Sequence, residues 1–439
     1  MSDEGARGID NVHRFLAGKP LAPAEVATAP DHGRSYWHEL DFGTGSSERR
    51  LMSRITIVGG GIMGSSIAYH LGRAGIARDI TVIEPDPTYE LAATPRAVGG
   101  VRRLFGNREN VEMSHYSRAV YTAFDKHVTG GAITYDPCFR VEGYMFHVAG
   151  AESVAALEAC AEMQNSVGAR VEVLDRAALK ARYPSFRFDD VDAAALCAED
   201  GRLDPHAVLM GYRRAAEGIG VSYRKDRVAG LEAERGRITR VKLESGGSLA
   251  PELVFNCANC WAPDICAMVG MQIPVKPLRR QTFNFLTAEP LEPFPAMRFQ
   301  SGYSIRPERT GYLTGLTRSE EMGKFLWDLD PQVFDDVLWP WLAERSQTFE
   351  AVKVHSGWVG HYDMCLLDGN PIIDRWKGVL DNFYVLAGFS GHGLQHAPAI
   401  GRAMKELIVD GGYSSIDLSL FSYQRVLDNK PIIDTGPVA

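Results

Sequence analysis

The chain has 439 residues, of which 45% are apolar and 23% are charged, and its formal net charge is −8. This length exceeds that of one ordinary core and predicts two domains, with insertion of one into the other as an open alternative. The acidic balance, without a broad basic patch, argues against a nucleic-acid-binding protein. No apolar run approaches the ~20 residues that a membrane-spanning helix needs.

The first 52 residues predict an extension outside the main fold. They lack the apolar core of a signal peptide, and they are acidic where a mitochondrial transit peptide is rich in arginine. Met52 directly precedes the first regular segment, so the extension is either the product of an upstream start codon or an arm. An arm would pack on the body or on another subunit through Trp37 and Phe42.

A strand, a helix and a second strand are predicted in order at the start of the main fold. The run Ile55–Val58 is typical of a buried parallel strand, Ser65–Ala74 has the apolar spacing of a helix, and Ile80–Ile83 predicts the second strand. Together they form a βαβ unit of about 30 residues.

A glycine-rich turn joins the first strand to the helix and has the pattern GxGxxG at Gly59, Gly61 and Gly64. Its glycines let the backbone approach a pyrophosphate, and the helix N-terminus at Ile62–Gly64 offers free N–H groups. Glu84 follows the second strand, where a carboxylate accepts hydrogen bonds from ribose hydroxyls and repels a 2′-phosphate. The turn therefore predicts a dinucleotide site and disfavours NADP.

The cysteine content bears on compartment and metal binding. Seven cysteines in a large chain without a secretory signal favour a reducing compartment, and we expect a cytoplasmic protein. Cys257 and Cys260 form a CxxC, but no second CxxC or histidine pair stands at zinc spacing. No metal is therefore predicted, and the pair is better explained as small buried residues at a strand end.

Further along, the chain is rich in predicted strands. Val221–Arg227 and Ile238–Leu243 have strand patterns, Leu253–Ile265 predicts a strand that runs into a helix, and Tyr303–Gly315 predicts a strand, a turn and a strand. Near the end, Phe383–Ala387 predicts a strand, and a helix is expected from about residue 397 to 409.

A second glycine-rich turn, GFSGHG at Gly388–Gly393, lies between that last strand and helix. A plain NAD-dependent dehydrogenase has little use for it, but FAD is long and its ring lies far from its adenine end. A second helix N-terminus places N–H groups at the flavin N1–C2=O edge, where negative charge collects on reduction. The two turns together therefore predict FAD.

The chain resembles the FAD-dependent oxidoreductases of the D-amino-acid-oxidase-like superfamily, in the sarcosine oxidase and dimethylglycine dehydrogenase branch. The resemblance runs from Arg54 to about Tyr423, and its segments are IVGGGIMGSSIAYHL, IEPDPTYELAATPRAVGGVRR, DGRLDPHAV, VFNCANCWAP, PVKPLRRQTF, WVGHYDMCLLDGNPIID and LAGFSGHGLQHAPAIGR. Within the superfamily, GFSGHGLQHAPAIGRAMKELI and IDLSLFSYQR are similar to a subgroup that includes a mitochondrial flavoprotein linked to complex I assembly.

The resemblance implies an α/β fold that combines a Rossmann-like FAD-binding domain with an antiparallel-sheet α+β substrate domain, as in the glutathione-reductase-like family. The implied FAD-binding domain is discontinuous and takes residues 53–130, 199–266 and 356–439. The implied substrate domain takes residues 131–198 and 267–355. Residues 1–52 are the N-terminal extension.

The resemblance also implies oxidation of the C–N bond of a secondary or N-substituted amino acid that is sarcosine-, dimethylglycine- or opine-like. A hydride leaves the carbon beside the amine for flavin N5, and water hydrolyses the resulting imine. The alternative is a weakly catalytic flavoprotein that acts in assembly of, or interaction with, a respiratory complex. The expected partners are a small amino-acid-like substrate and, as open alternatives, an acceptor protein, a quinone or further subunits of a homo- or hetero-oligomer.

Family motifs assign the residues that would contact FAD and substrate. The implied FAD contacts are Gly59, Gly61, Ile62, Met63, Gly64, Glu84, Gly99, Gly100, Val228, Cys257, Trp261, Gly391, His392, Gly393, Leu394 and Gln395. The implied substrate contacts are Arg102, Arg279, Arg306, Tyr362 and Gln395, with Arg103 as a further candidate. Arginine is the natural clamp for a carboxylate, although a surface salt bridge is the alternative explanation for each one taken singly.

Three positions depart from the sarcosine oxidases. Gly360 stands where those enzymes tether FAD through a cysteine, Leu313 where a lysine is thought to activate oxygen, and Gln395 where a lysine binds the substrate carboxylate. We therefore expect noncovalent FAD, slow use of oxygen and a pocket unlike that for sarcosine.

Overall fold

The structure is a computed structural model that describes residues 54–75, 79–130, 135–309, 311–434 and 436. The predicted extension at residues 1–52, with its proposed contacts through Trp37 and Phe42, lies outside the described residues. Among the helices of the described ranges, none combines the length and apolar character needed to cross a bilayer.

The described part of the chain alternates strands and helices. In chain order the strands are β1 (Ile55–Val58), β2 (Ile80–Glu84), β3 (Gly100–Val101), β4 (Arg140–Val141), β5 (Tyr144–Val148), β6 (Val171–Asp175), β7 (Ala193–Cys197), β8 (Gly201–Arg202), β9 (Ser222–Lys225), β10 (Val228–Glu234), β11 (Arg237–Leu243), β12 (Gly247–Leu249), β13 (Leu253–Asn256), β14 (Val275–Thr287), β15 (Ala296–Phe299), β16 (Tyr303–Glu308), β17 (Gly311–Thr317), β18 (Val352–Cys365), β19 (Ile372–Trp376) and β20 (Leu380–Ala387). The α-helices are α1 (Ile62–Arg73), α2 (Arg108–Thr122), α3 (Ala151–Ser166), α4 (Arg176–Arg182), α5 (Pro205–Gly218), α6 (Ala262–Ala267), α7 (Pro331–Val333), α8 (Trp339–Arg345), α9 (Gly393–Lys405) and α10 (Gln424–Leu427).

A six-stranded sheet with the order β19-β20-β13-β1-β2-β9 forms the nucleotide-binding half. All its pairs are parallel except β19 with β20. The strand β1 lies inside this sheet and is buried along its whole length, because a parallel strand covered on both faces must be apolar throughout. Helices α1, α5 and α9 contribute to the core that packs on this sheet.

An eight-stranded sheet with the order β18-β14-β17-β16-β15-β5-β7-β6 forms the second half. Its pairs are antiparallel except β15 with β5. Aromatic side chains such as Phe283, Phe285 and Phe349 fill the core that belongs to this sheet. The predicted fold class, a Rossmann-like domain with an α+β domain built on a largely antiparallel sheet, is therefore confirmed.

The strands of the two sheets follow the discontinuous segments predicted for the two domains. All six strands of the nucleotide-binding sheet fall within residues 53–130, 199–266 and 356–439. The strand β18, however, begins at Val352 and passes through the predicted boundary at residue 356 as one continuous element of the other sheet. The domain boundaries themselves stay a prediction.

The helix after the second glycine turn begins at Gly393, four residues before its predicted start at Ala397. Pro398 lies inside it and cannot donate to the carbonyl of Leu394. The hydroxyl of Tyr121 donates to that carbonyl instead, at 2.6 Å. A contact from a distant helix therefore supports the first turn of α9, and the local sequence contains no signal for it.

A buried ion pair joins the segment after the first βαβ unit to the start of the second FAD-domain segment. The backbone N–H of Arg103 donates to Oδ2 of Asp200 at 2.7 Å, and its Nε donates to Oδ1 at 2.8 Å. The two side chains are 1% and 0% exposed. Arg103 is thus held away from any substrate, which corrects its candidacy as a carboxylate clamp.

We expect Asp200→Asn to lower the free energy of unfolding by about 1.5–3 kcal/mol, because it removes the fully buried carboxylate that accepts from Arg103 and leaves that guanidinium with the half-buried Glu199 alone. Urea denaturation of the flavin-bound protein measures this loss. Asp189→Asn is the control, since Asp189 pairs with Lys180 on the surface, and the midpoint should stay unchanged. Equal effects of the two substitutions would contradict the structural role of the buried pair.

Candidate active site

A cavity of about 380 Å³ lies between the two sheets. It starts at the carboxyl ends of β1 and β2, where Gly59 and Glu84 line it, and it extends to the face of the eight-stranded sheet, where Arg280 and Tyr362 line it. Ligands of open α/β sheets bind at this carboxyl edge. The cavity therefore has a nucleotide end and a sheet end.

The first glycine turn is shaped for close approach of backbone to a ligand. Gly59 has φ +97°, and a Cβ there would lie 2.5 Å from the carbonyl oxygen of Cys257. A Cβ on Gly64 would lie 2.0 Å from the carbonyl oxygen of Gly59, so both positions exclude any side chain. At Gly61 the nearest atom to a Cβ is Oγ1 of Thr94 at 3.7 Å, which leaves the backbone open toward the cavity.

The N-terminus of α1 points its donors at the same place. Its N-cap residue, Gly61, makes no side-chain capping bond, and Ile62 N–H donates to Oγ1 of Thr94 at 3.3 Å. An uncapped helix N-terminus with a positive dipole end is a ready site for a pyrophosphate.

The carboxylate of Glu84 holds the first glycine turn in place, in addition to its predicted contact with the ribose. Its Oε2 accepts from Gly60 N–H at 2.8 Å and its Oε1 from Asp86 N–H at 3.0 Å. Burial raises the pKa of Glu84, and the two backbone donors oppose this rise. Each carboxylate oxygen keeps a second lone pair for a ribose hydroxyl. Glu84 therefore fixes the glycine turn and also lines the cavity.

The second glycine turn is held by a buried carboxylate that the sequence reasoning missed. Oδ2 of Asp363 accepts from Gly388 N–H at 2.7 Å and from Phe389 N–H at 3.1 Å. Burial raises the pKa of Asp363 to about 6. Gly391 has φ +91°, and a Cβ there would lie 2.6 Å from the ring of Tyr362. The turn and the Tyr362–Asp363 pair therefore fit together closely, and α9 starts behind them without a side-chain cap.

Most of the predicted FAD contacts line the cavity. Those that do are Gly59, Gly61, Ile62, Met63, Glu84, Val228, Cys257, Trp261, Gly391, Gly393 and Leu394. Those that lie outside the lining are Gly64, Gly99, Gly100, His392 and Gln395. The predicted contacts of individual residues with FAD stay predictions.

The residues outside the lining have identifiable partners. A Cβ on Gly99 would lie 2.1 Å from the carbonyl oxygen of Leu203. A glycine is therefore needed here to let two segments of backbone pass close to each other. Oε1 of Gln395 accepts from the backbone N–H of Arg102 at 2.9 Å. The Nη2 of Arg102 lies 3.0 Å from Nε2 of His392. These residues contact one another outside the cavity lining.

The side chain of Arg279 does not face the cavity, which corrects the prediction for it. Its Nε donates to Oε2 of Glu321 at 2.6 Å, and its Nη1 donates to the carbonyl of Asp328 at 2.9 Å. Successive side chains of a strand point to opposite faces, so the neighbour Arg280 lines the cavity instead. The prediction is therefore wrong for Arg279, and Arg280 is the residue of this pair that faces the cavity.

Two arginines and two tyrosines meet at the sheet end of the cavity. The guanidinium carbon of Arg280 lies 5.2 Å from the centroid of the Tyr362 ring, and its Nη1 donates to Oγ1 of Thr317. Burial lowers the pKa of Arg298 on β15, but the nearby phenols of Tyr144 and Tyr362 outweigh burial and raise the pKa above its ordinary value. Sequence reasoning missed Arg298 and Tyr144, because only the parallel pairing of β15 with β5 brings them side by side.

The phenol of Tyr362 has an unusual environment. Burial by itself raises its pKa, but the charges of Arg280, Arg298 and Arg102 outweigh burial and lower the pKa below its ordinary value. Arg102 is itself outside the lining: its Nη1 donates to the carbonyl of Leu104, and it lies 4.1 Å from the ring centroid of Phe105. The sheet end is thus a cationic pocket that would stabilise an anion.

Arg306 lines the cavity, and its predicted contact with the substrate stays a prediction. Its Nη2 lies 2.9 Å from Oε2 of Glu308, while its Nε and Nη1 are buried without a hydrogen-bond partner. Burial lowers the pKa of Arg306 to about 10, and Glu308 compensates only in part. The side chain therefore remains charged at neutral pH.

The sulfur atoms near the cavity are poorly placed to attach a flavin. Gly360 lines the cavity but has no side chain, and Cys365 is fully buried outside the lining. Cys257 lines the nucleotide end, where burial raises the pKa of its thiol and disfavours the reactive thiolate. The described residues contain no group of three or more His, Cys, Asp or Glu side chains that could hold a metal.

These features define an FAD-dependent oxidoreductase: two glycine turns at helix N-termini, an acid at the end of β2, and a cationic pocket on an antiparallel sheet. Residues 54–407 match the family described as DAO, FAD dependent oxidoreductase. The chain belongs to this family, whose members are amino-acid oxidases or dehydrogenases, and FAD is its cofactor.

Similar proteins agree with this assignment. The chain is 32% identical over 428 residues to FAD-dependent oxidoreductase domain-containing protein 1 of Xenopus laevis, over 88% of this chain and 84% of that protein. It is 24% identical over 376 residues to mitochondrial dimethylglycine dehydrogenase of Rattus norvegicus, over 81% of this chain and 43% of that protein. The crystal structure of L-proline dehydrogenase from P. horikoshii has the same fold, with a TM-score of 0.76 and 24% identity over 87% of this chain and 99% of that chain.

We expect Glu84→Ala to weaken FAD retention at least tenfold, because it removes the ribose acceptors and the anchor of Gly60. Hydrogen bonds to a charged group contribute roughly 1.5–3 kcal/mol each. Titration of the apoprotein with FAD measures the dissociation constant. Glu90→Ala is the control, since its side chain is exposed nearby. Full retention of FAD by Glu84→Ala would rule out this role.

We expect the FAD to be noncovalent, since the tethering position is Gly360 and Cys365 lies outside the cavity lining. Precipitation of the purified protein with acid should release the yellow cofactor into the supernatant. A pellet that stays yellow after washing would instead reveal an attachment through a cysteine.

Proposed function

We propose that this protein oxidises the C–N bond of a secondary or N-substituted amino acid, in the sarcosine-, dimethylglycine- or opine-like class. The observation that carries the proposal is the pair of guanidinium groups, Arg280 and Arg298, at the sheet end of a cavity whose other end has the nucleotide turn. FAD, when bound, accepts the hydride that leaves the carbon beside the amine.

The residues of the chain have separate tasks in this reaction. Arg280 and Arg298 bind the substrate carboxylate, since a planar guanidinium matches a carboxylate in charge and geometry. The same positive charges disfavour the ammonium form of the substrate, so the amine is held neutral, as loss of a hydride requires. Tyr144 and Tyr362 lie near Arg298 and favour its charged form, which keeps the pocket positive for the carboxylate.

The chemical class of the substrate draws support from the names of two similar proteins. Dimethylglycine and proline both have a carboxylate beside a nitrogen with more than one carbon substituent. A function in assembly of a respiratory complex is the alternative, and it needs no open cationic pocket. The pocket therefore favours catalysis over the alternative.

We extend the proposal to the setting of the reaction. The protein acts in amino-acid catabolism in the cytoplasm, and the seven cysteines, all free thiols, agree with a reducing compartment. Leu313 lines the cavity where an oxidase would have a lysine, so electrons leave to an acceptor protein or a quinone more readily than to oxygen.

Anaerobic bleaching of the flavin absorbance tests the proposal. Sarcosine, N,N-dimethylglycine, proline and N-(carboxyalkyl) amino acids are mixed with the holoenzyme, and at least one should reduce the flavin. Arg280→Lys should slow this reduction roughly tenfold or more, because an ammonium cannot replace two parallel guanidinium bonds. Arg279→Lys is the matched control: it lies on the same strand, faces Glu321, and should leave the rate unchanged.

Two results would contradict the proposal. One is a flavin that dithionite reduces but that no compound of the panel bleaches. The other is equal slowing of flavin reduction by Arg279→Lys and Arg280→Lys. That result would mean that disturbance of strand β14, and not loss of a contact in the pocket, lowers the rate.

A further inference from the structure

Three aromatic side chains form a continuous row from the cavity lining to the protein surface. Phe325, in the loop between β17 and α7, is 41% exposed. Its ring lies 5.3 Å from that of Trp261, at an angle of 14° between the planes, and Trp261 lines the cavity. Trp327 is nearly parallel to Phe325 as well, at 6.4 Å and 12°. We call Trp261, Phe325 and Trp327 the aromatic rim.

The loop that carries two of the rim side chains is fastened to the eight-stranded sheet. Its Leu326 N–H donates to Nε2 of His361 on β18 at 3.2 Å. On β14, Nη1 of Arg279 donates to the carbonyl of Asp328 in the same loop at 2.9 Å. Arg279, which was predicted at the substrate, therefore holds the loop that presents the aromatic rim.

Arg96 adds a positive charge beside the aromatic rim. It is half-buried, it lines the cavity, and its guanidinium carbon lies 5.5 Å from the centroid of the Trp327 ring. Its Nε donates to the carbonyl of Glu90 at 2.5 Å, and its Nη1 donates to that of Val359 at 2.6 Å. Within the ranges that the structure describes, Nη2 has no hydrogen-bond partner and the guanidinium has no carboxylate partner. Arg96 therefore has a fixed position and a spare donor.

The aromatic rim is too small to be a protein interface. Only Phe325 is exposed, while Trp261 and Trp327 are half-buried. Three such side chains offer on the order of 200 Å² of surface, whereas a stable protein interface buries about 800 Å² on each partner. A small flat molecule is the ligand that fits this area.

The aromatic rim and Arg96 match the chemistry of a quinone. The flat conjugated ring of a quinone stacks on aromatic faces, and its two carbonyl oxygens accept hydrogen bonds. Negative charge collects on those oxygens as the quinone takes up electrons, and a fixed guanidinium stabilises that charge.

We propose that the aromatic rim and Arg96 bind a quinone that takes the electrons of the reduced flavin. The inference rests on the proposed function for the direction in which electrons leave, and it selects a quinone over an acceptor protein. The quinone ring packs on the aromatic rim, and Nη2 of Arg96 donates to one of its oxygens. Because Trp261 and Arg96 also line the cavity, the bound quinone lies at the edge of the cofactor's own cavity.

The transfer balances without a further reactant. FADH2 gives up two electrons and two protons and returns to FAD. The quinone takes up the same two electrons and two protons, and its two C=O groups become the C–OH groups of the hydroquinone.

Reoxidation of chemically reduced enzyme tests this step without any amine. The holoenzyme is reduced with one equivalent of dithionite and mixed anaerobically with menadione or with a ubiquinone analogue of one isoprene unit. The return of the oxidised flavin absorbance gives the rate. We expect this rate to saturate with quinone concentration, since binding precedes transfer. It should exceed the rate in air-saturated buffer by at least about tenfold.

Substitutions locate the quinone site. Phe325→Ser should raise the quinone concentration at half-saturation roughly tenfold, because it removes the exposed stacking surface. Arg96→Met should lower the saturating rate roughly tenfold, because the donor to the quinone oxygen is lost. Trp339→Ser is the matched control, since Trp339 is an aromatic side chain in α8 that is 42% exposed, and it should change neither value. Ferricenium, an acceptor without carbonyl groups, should reoxidise all variants at the same rate.

The outcomes separate this inference from the proposed function. A rate that rises with quinone concentration without saturation, or that Phe325→Ser and Trp339→Ser change equally, overturns the quinone site. Reoxidation by quinone no faster than by air does so too, and it leaves an acceptor protein as the partner. None of these results bears on the amine substrate, because dithionite supplies the electrons. Failure of every amine to bleach the flavin contradicts the proposed function and leaves the quinone result standing.

Discussion

The close packing of α1 against α9 is the constraint on which the rest of the structure depends. A Cβ on Gly401 in α9 would lie 2.3 Å from Oγ of Ser66 in α1, so the two helices touch through a residue without a side chain. Oγ of Ser66 donates to the carbonyl of Ala397 at 2.7 Å and fixes their relative position. Two helices from opposite ends of the chain thereby begin at one cavity, and each adds an uncapped N-terminus to it.

A second constraint is the burial of arginine on the eight-stranded sheet. A sheet face normally buries apolar side chains, and the same sheet does so on its other side through Phe283 and Phe285. Toward the cavity it presents the guanidinium groups of Arg280 and Arg298, which have no carboxylate partner among the described residues. An arrangement that is costly in the free protein is typical of a binding site, because the ligand supplies the missing partners.

The sequence was sufficient to predict the local motifs, but it was insufficient to predict the features that depend on how strands pair. Strand, glycine turn and helix are encoded within a few residues, so the turns at Gly59 and Gly391 and the acid Glu84 were predictable. Which side chains of β14 face the cavity depends on its register with β18, in which Arg280 pairs with Gly360. No local feature of the sequence fixes that register. Arg279 was therefore predicted at the cavity, where Arg280 lies instead.

The same reasoning explains the residues that were missed. Arg298 becomes a site residue only when β15 pairs with β5, a strand about 150 positions earlier in the chain. Asp363 acts on a turn that follows it by 25 positions, and only the folded chain brings its carboxylate to those N–H groups. The family resemblance identified the motifs, but the motifs do not contain the partners that hold them in place.

The central claim is that buried arginines beside the flavin bind the carboxylate of the substrate. The most direct test is a titration of the FAD-bound protein with thiodiacetate, a thioether that has the carboxylates but no amine to oxidise. The account predicts a saturable change in the visible flavin spectrum that Arg280→Met abolishes while FAD stays bound. A spectrum that does not respond to thiodiacetate, or a response that Arg280→Met leaves intact, would contradict it.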